Sequence, residues 1–370
     1  MLLPRILFIV FSFIFWWCFQ GYFLYLYFFV GKKNNRRFDA VDLMAGKKFA
    51  VVVLSYNEKE YIARKIDNLA TLDYSQFSVY FVDASDDGTA DIITAKIKGL
   101  SGFHLIRAKT RGRSFQINDA LSVINDDYIL VTDVDAQLQS DALKVIAAEF
   151  DDKTVGVVGG YVKPVTSYGL DMVFWRSHNS VKFFETIHGY SPIVSGACYA
   201  FRREVVERIP ADVWSDDVYI PLLAHLRGFG CVYSSFIAVE ELRAPQSFKT
   251  FIFSKIRKSQ DIIKEFLRFL PFIPRMDTVW AIIYLTKLFQ VVFSPLLAIL
   301  MFLLLPYQGL YIVSAVVFVF ASAILLQRFL LKKVMPDKGN ILEVFVVFIM
   351  SEAIILLALL RYFWDKCKKI

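Results

Sequence analysis

Tyr128-Ile-Leu-Val-Thr-Asp-Val-Asp-Ala136 is a short apolar run that ends in two carboxylates one residue apart. The run reads as a buried β-strand, which delivers Asp133 and Asp135 to its C-terminal end, where open α/β sheets bind their ligands. Alternation along an extended chain puts both side chains on one face. Such a pair suits a hard divalent cation, Mg²⁺ or Mn²⁺, held by one or two carboxylates together with substrate phosphates. The bare pair more often marks a solvated turn or a helix cap, so its surroundings decide.

Upstream, Phe49–Leu54, Phe77–Val82 and Phe103–Ala108 are further strand-like runs, while Glu58–Leu69, Thr89–Lys98 and Arg113–Val123 between them have helical periodicity. This alternation predicts an α/β fold, a Rossmann-like, doubly wound and mainly parallel sheet. Neither G-x-G-x-x-G nor G-x-x-x-x-G-K-[ST] occurs, so neither a dinucleotide-dependent oxidoreductase nor a P-loop NTPase is supported. Asp83 directly ends the second run and points into the ligand crevice, where a carboxylate accepts hydrogen bonds from a nucleobase or ribose. Asp86, Asp87 and Thr89 read as turn and N-cap residues.

The 370 residues are 56% hydrophobic and 16% aromatic, too apolar for a soluble protein and too long for one ordinary domain. The net charge of +7 sits largely beside apolar segments, which favours anionic lipid headgroups and phosphates over nucleic acid. Four cysteines, Cys18, Cys198, Cys231 and Cys367, lack metal or disulfide spacing, consistent with a reducing cytosol. His104, His178, His188 and His225 show no ligand spacing either.

Several motifs then fall in one order. Val53-Leu-Ser-Tyr-Asn-Glu58, Val82-Asp-Ala-Ser-Asp-Asp-Gly-Thr89, Arg111-Gly-Arg-Ser-Phe-Gln-Ile-Asn118 and Thr132-Asp-Val-Asp135 together resemble the family 2 glycosyltransferases with the GT-A fold, over roughly Lys48 to Arg257. The resemblance implies a nucleotide-sugar site built from Asn57, Glu58, Asp83, Arg111, Arg113, Asn118, Asp133 and Arg257. It makes Asp135 the principal metal ligand, beside Asp133. Ser195–Glu204 resembles the family's acceptor-side loop followed by a helix start, which puts Gly196, Ala197 and Cys198 on the acceptor side. Trp214-Ser-Asp-Asp-Val-Tyr-Ile-Pro221 falls where the family carries an acidic pair, with Asp217 as catalytic base and Asp216 as the first acid. Lys255-Ile-Arg-Lys-Ser-Gln260 departs from the Gln-x-x-Arg-Trp motif of processive members: no tryptophan follows Arg257. Phosphate binding by Arg257 and a lipid-binding role for this charge run both remain open.

Residues 1–31 read as a membrane span, 32–47 as a basic linker, 48–245 as the GT-A domain, 246–275 as amphipathic interfacial helix and 276–370 as a membrane region of about three helices. Ile6–Val30 followed by the basic run Gly31–Arg37 is expected to be a signal anchor, with the enzyme domain cytoplasmic. Leu288–Leu305, entered at Lys287, Leu310–Leu326 and Val344–Leu360 are the later candidate spans; the positive-inside rule suits the basic loop Arg328–Lys338 but conflicts with Arg361–Lys369. Glu352 inside the last span marks either an acceptor path or a carboxylate paired within the bundle. The expected activity is inverting transfer from a nucleotide-diphosphate sugar to a lipid-linked or saccharide acceptor at the membrane. A processive synthase and a non-catalytic nucleotide-sugar scaffold are the alternatives, and the oligomeric state is left open.

Overall fold

β1 (Phe49–Ser55) is buried at every position, as a strand covered on both faces must be, and its uninterrupted Phe-Ala-Val-Val-Val-Leu composition follows from that. The remaining strands are β2 (Phe77–Asp83), β3 (Phe103–Arg107), β4 (Tyr128–Asp133), β5 (Ala136–Leu138), β6 (Val155–Pro164), β7 (Cys198–Arg202) and β8 (Gly230–Glu241). The structure is a computed structural model and describes residues 2–30, 46–165, 169–188, 191–332 and 341–368. The basic run Gly31–Arg37, residues 333–338 of the basic loop and Lys369 lie outside the described residues.

One eight-stranded sheet has the order β3-β2-β1-β4-β7-β6-β8-β5. β1, β2, β3 and β4 are mutually parallel, joined by the helices Ile62–Ala70, Thr89–Ile97 and Arg113–Leu121, as the alternation predicts. Beyond β4 the parallel rule stops. β7 runs antiparallel to both β4 and β6, and β5 antiparallel to β8, which leaves β6 and β8 as the one parallel pair in that half among the described residues. The expected helix start after Ser195 is instead β7 followed by a short turn of 3₁₀ helix, Arg203–Val205. The reason is pairing: Cys198–Arg202 fills the place beside β4, aligned Thr132 with Cys198 through Tyr128 with Arg202.

The chain divides into two units. The sheet unit comprises Asn34–Trp175 and Gly189–Pro245. Its core gathers β1, β2 and β4 residues with Ile62, Ile66 and Leu69 and with Leu143, Ile146 and Phe150 in one cluster.

The second unit comprises Met1–Lys33, Arg176–His188 and Gln246–Ile370. The stretch expected as one domain, 48–245, is therefore interrupted: Arg176–His188 groups with the apolar helices. Inside that unit Glu185 is buried, accepts from the Tyr22 hydroxyl at 2.9 Å and pairs with Lys287. A buried charge is tolerated only when paired, so this contact explains where Lys287 lies. Helices long and apolar enough to cross a membrane run Leu2–Val30, Thr278–Tyr307 and Val346–Cys367; a shorter apolar stretch is Leu310–Ser322. The second of these starts before Leu288, so Lys287 sits within the helix rather than at its entrance. Glu352 accepts from Ser294 Oγ at 2.9 Å, the paired arrangement within the bundle. Phe248–Phe269 is a continuous helix whose start is closed by a capping box between Ser247 and Thr250, and Arg257 is exposed on it.

Candidate active site

The parallel half brings the C-terminal ends of β1, β2 and β4 side by side, so Ser55, Asp83 and Asp133 share one edge of the sheet. Asn57, just past β1, has φ 55°, a left-handed conformation that asparagine tolerates better than most residues. Its backbone N–H donates to Ser85 Oγ at 2.7 Å and its Oδ1 accepts from Asp86 N at 3.1 Å, which ties the β1 loop to the β2 loop. Asp83 is buried and accepts from Ser55 Oγ at 2.7 Å and Ser85 Oγ at 2.6 Å, with Arg107 Nη1 at 3.4 Å. Gln116 donates to Ser55 O at 2.9 Å and Val82 O at 2.7 Å, clamping the two strand ends together. Arg111 lies over the Tyr56 ring, 3.8 Å from its centroid. Asp87 accepts from Thr89 N at 3.0 Å, the turn chemistry expected of it. Asn118 exchanges both ends of its amide with the backbone of Ile209, at 2.7 and 2.8 Å, which gives it a structural explanation.

The acid that ends β4 and the one two residues beyond it stand in different company. Asp133 accepts from Arg113 Nη1 at 2.6 Å, while the same guanidinium grips Asp216 through Nε at 2.6 Å and Nη2 at 3.0 Å. Asp135 faces Arg243 Nε at 3.6 Å, and Arg243 also bonds Glu58. Burial, followed by the negative charge of Asp133, pushes the Asp135 carboxyl up to about 6, against the opposing pull of Arg243. A half-buried carboxylate pressed by a like charge is a group that a divalent cation would stabilise as the anion. Among the described residues no cluster of three His, Cys, Asp or Glu side chains is present, so the protein supplies few ligands. The donor set therefore fits Mg²⁺ or Mn²⁺ completed by oxygen ligands from outside the protein, and does not fit an all-protein cage.

The third side comes from the loop before β7 and from the helix Asp216–Leu226. Asp217 Oδ1 accepts from Ser215 Oγ at 2.7 Å and Oδ2 from Gly196 N at 3.0 Å, so the carboxylate is held at both oxygens. A Cβ on Gly196 would stand 3.5 Å from Asp217 Oδ2. Asp216 is buried; burial alone would raise its carboxyl, but the Arg113 fork and the Tyr199 hydroxyl hold it below the usual carboxylate range. Cys198 departs from its expected acceptor-side placement. As the first residue of β7 it is fully buried, and burial pushes its thiol up to about 12, so the side chain is closed to any acceptor. Arg257 belongs to the other unit.

Four residues enter that the sequence reading passed over. Tyr199 and Arg243 complete the carboxylate contacts just described. Gln137 lies two residues beyond Asp135, with Ala136 and Leu138 buried on the opposite face, and its amide nitrogen is buried without a partner among the described residues. The period-two spacing of Asp133, Asp135 and Gln137 was a legible signal for it. Lys65 is fully buried beneath the Asp133–Asp135 turn, and nothing in its helical surroundings marked it out.

Comparison with known proteins bears on the fold of this unit. Residues 50–210 match the family model described as glycosyl transferase family 2. Two curated relatives, each named beta-monoglucosyldiacylglycerol synthase, from Trichormus variabilis and from a Nostoc species, are 31% identical over 115 residues, 30% of this chain. The matched stretch spans 25% of each relative's length. A solved structure of the mannosyltransferase PcManGT from Pyrobaculum calidifontis, in complex with GDP-Man and Mn²⁺, superposes with a TM-score of 0.75 at 20% identity, covering 98% of this chain and 99% of that one. At that identity the likeness establishes the fold. Residues 50–210 are thus similar to glycosyl transferase family 2, and the eight-stranded unit that contains them has the GT-A fold.

Proposed function

We propose that the chain is an inverting, metal-dependent glycosyltransferase that moves a sugar from a nucleotide-diphosphate sugar to a lipid-linked or glycolipid acceptor in the membrane. The observation that carries this is the Arg113 fork: one guanidinium joins Asp133, beside the candidate metal acid, to Asp216, beside the candidate base. Donor-side and acceptor-side carboxylates are thereby held at one edge of one sheet.

Asp217 takes the proton of the acceptor hydroxyl. That oxygen bonds to the anomeric carbon as the bond from this carbon to the diphosphate oxygen breaks, with attack from the opposite face inverting the configuration. Ser215 and Gly196 fix the orientation of the base. Asp135, with Asp133 and Gln137 beside it, would hold Mg²⁺ or Mn²⁺. When bound, the cation neutralises the charge that develops on the leaving diphosphate. Asp83 and Arg111 are the proposed nucleoside and phosphate contacts, with Asn57 and Glu58 shaping the loop between them. PcManGT, seen with GDP-Man and Mn²⁺, supports this donor class and cofactor.

The membrane-associated acceptor is supported by three helices among the described residues that are long and apolar enough to span and by relatives named for a glucosyldiacylglycerol product. The basic run Lys32–Arg37 after the first of those helices supports a cytoplasmic face for the sheet unit.

Detergent-solubilised full chain is assayed for release of nucleoside diphosphate from a panel of nucleotide-sugars with Mn²⁺ and native lipid extract. Asp135→Ala should abolish metal-dependent release. Asp217→Asn should still bind donor and Mn²⁺ but lose transfer by about 10²–10⁴-fold. Wild type that binds donor yet neither hydrolyses nor transfers it sinks the proposal, and a ladder of long chains would replace single transfer by polymer synthesis.

A further inference from the structure

Lys65 projects from the helix Ile62–Ala70 into the core with no exposed surface. Its ammonium donates to Thr132 Oγ1 at 2.9 Å and to the carbonyl of Ala136, so its two acceptors bracket the turn that carries Asp133 and Asp135. Thr132 Oγ1 passes the connection on, donating to Ala197 O at 2.8 Å, and the same carbonyl accepts from Asp133 N at 3.2 Å. The neighbouring Gly196 N–H donates to Asp217 Oδ2 at 3.0 Å. An unbroken path thus runs from one buried lysine through the turn with the two acids to the loop that holds the carboxylate of Asp217.

A core that needed only volume would carry methionine or leucine here, because burying an ammonium is costly unless strong acceptors meet it. Burial pushes the Lys65 amine down to about 8, with Asp133 and Asp135 within Coulombic reach pulling the other way. The group is retained where its desolvation works against it, and what it gains is the geometry of the turn.

We propose that Lys65 is a positioning residue that holds the Thr132–Ala136 turn in register with the Gly196–Ala197 loop, so that cation and base meet one donor and one acceptor. The proposal rests on the glycosyltransferase reading above, and it makes a claim of opposite sign to simple electrostatics. An ammonium that only lies near two carboxylates repels a cation, so removing it tightens cation binding. An ammonium that shapes the ligand turn does the reverse: removing it loosens binding.

Mn²⁺ is titrated into detergent-solubilised full-length protein and free ion is followed by electron paramagnetic resonance, for wild type, Lys65→Met and Thr132→Val. Lys65→Met should weaken Mn²⁺ binding by about 10–100-fold, the range for partners that orient metal ligands, while its thermal midpoint stays at or above that of wild type. Thr132→Val keeps the charge and shape but removes the hydroxyl, should weaken binding in the same direction, and decides the matter if Lys65→Met does not fold. Unchanged or tighter Mn²⁺ binding in the folded variants overturns the proposal. Wild type that binds Mn²⁺ but releases no nucleoside diphosphate defeats the glycosyltransferase reading instead, and the titration still decides the role of Lys65.

Discussion

Arg113 spends its guanidinium on carboxylates more than eighty residues apart in the chain, Asp133 and Asp216, in a fork that only arginine geometry allows. A hydrogen bond to a charged partner contributes about 1.5–3 kcal/mol, and three of them converge here. Asp135 escapes that grip and is left with burial, a like-charged neighbour and a distant Arg243, which together hold its carboxyl at about 6. In the absence of metal the folded form binds this proton more tightly than the unfolded chain does. Its contribution to stability is therefore full below the ordinary aspartate range and lost as pH rises to about 6. A cation reverses the preference, because only the anion coordinates it. We expect half-saturating Mn²⁺ to rise by about tenfold per pH unit below about 6 and to be flat above it, since each ligand proton competes with the ion. A titration by electron paramagnetic resonance across that range checks it; affinity independent of pH would remove Asp135 from the ligand set.

At the scale of elements, the antiparallel half of the sheet carries the proposed acceptor side, and small residues let it pack. A Cβ on Gly159 of β6 would stand 2.8 Å from Val194 Cβ and Cγ1 and 3.1 Å from Tyr233 Cδ2. Val194 cannot yield freely, because its backbone N–H donates to Asp217 O at 3.1 Å. Gly159→Ala is therefore expected to cost about 1–3 kcal/mol by overpacking and to lower turnover as Asp217 shifts, read as a fall in thermal midpoint together with kcat. β7 shows how an element's place is set from outside: Tyr199 and Phe201 suit a strand, and pairing beside β4 fixes where and in which direction it runs.

For the whole molecule, three helices among the described residues are long and apolar enough to cross a membrane, and extraction is the direct measurement of whether they do. The full chain should stay in the membrane pellet after alkaline carbonate and enter solution only with detergent. Release by carbonate would mean that the apolar helices lie on the surface rather than across the bilayer.

Composition and order on the chain determined much on their own. Short apolar runs alternating with segments of helical periodicity pointed to the four parallel strands and their connecting helices, most plainly at β1, which is buried on both faces. Two acids at the end of one such run, with Asp83 at the end of another, put a ligand crevice at the carboxyl edge of the sheet. The glycosyl transferase family 2 character of residues 50–210 was legible from those motifs in order. What tertiary structure alone decided were the long-range pairings. β7 and β5 enter antiparallel, Arg113 reaches Asp216, and Lys65 comes up beneath the turn of Asp133 and Asp135. None of these follows from periodicity, which reports only whether a side chain faces inward. Which buried group meets which depends on how distant segments are brought together, and a lysine on a helix looks solvated until the fold closes over it.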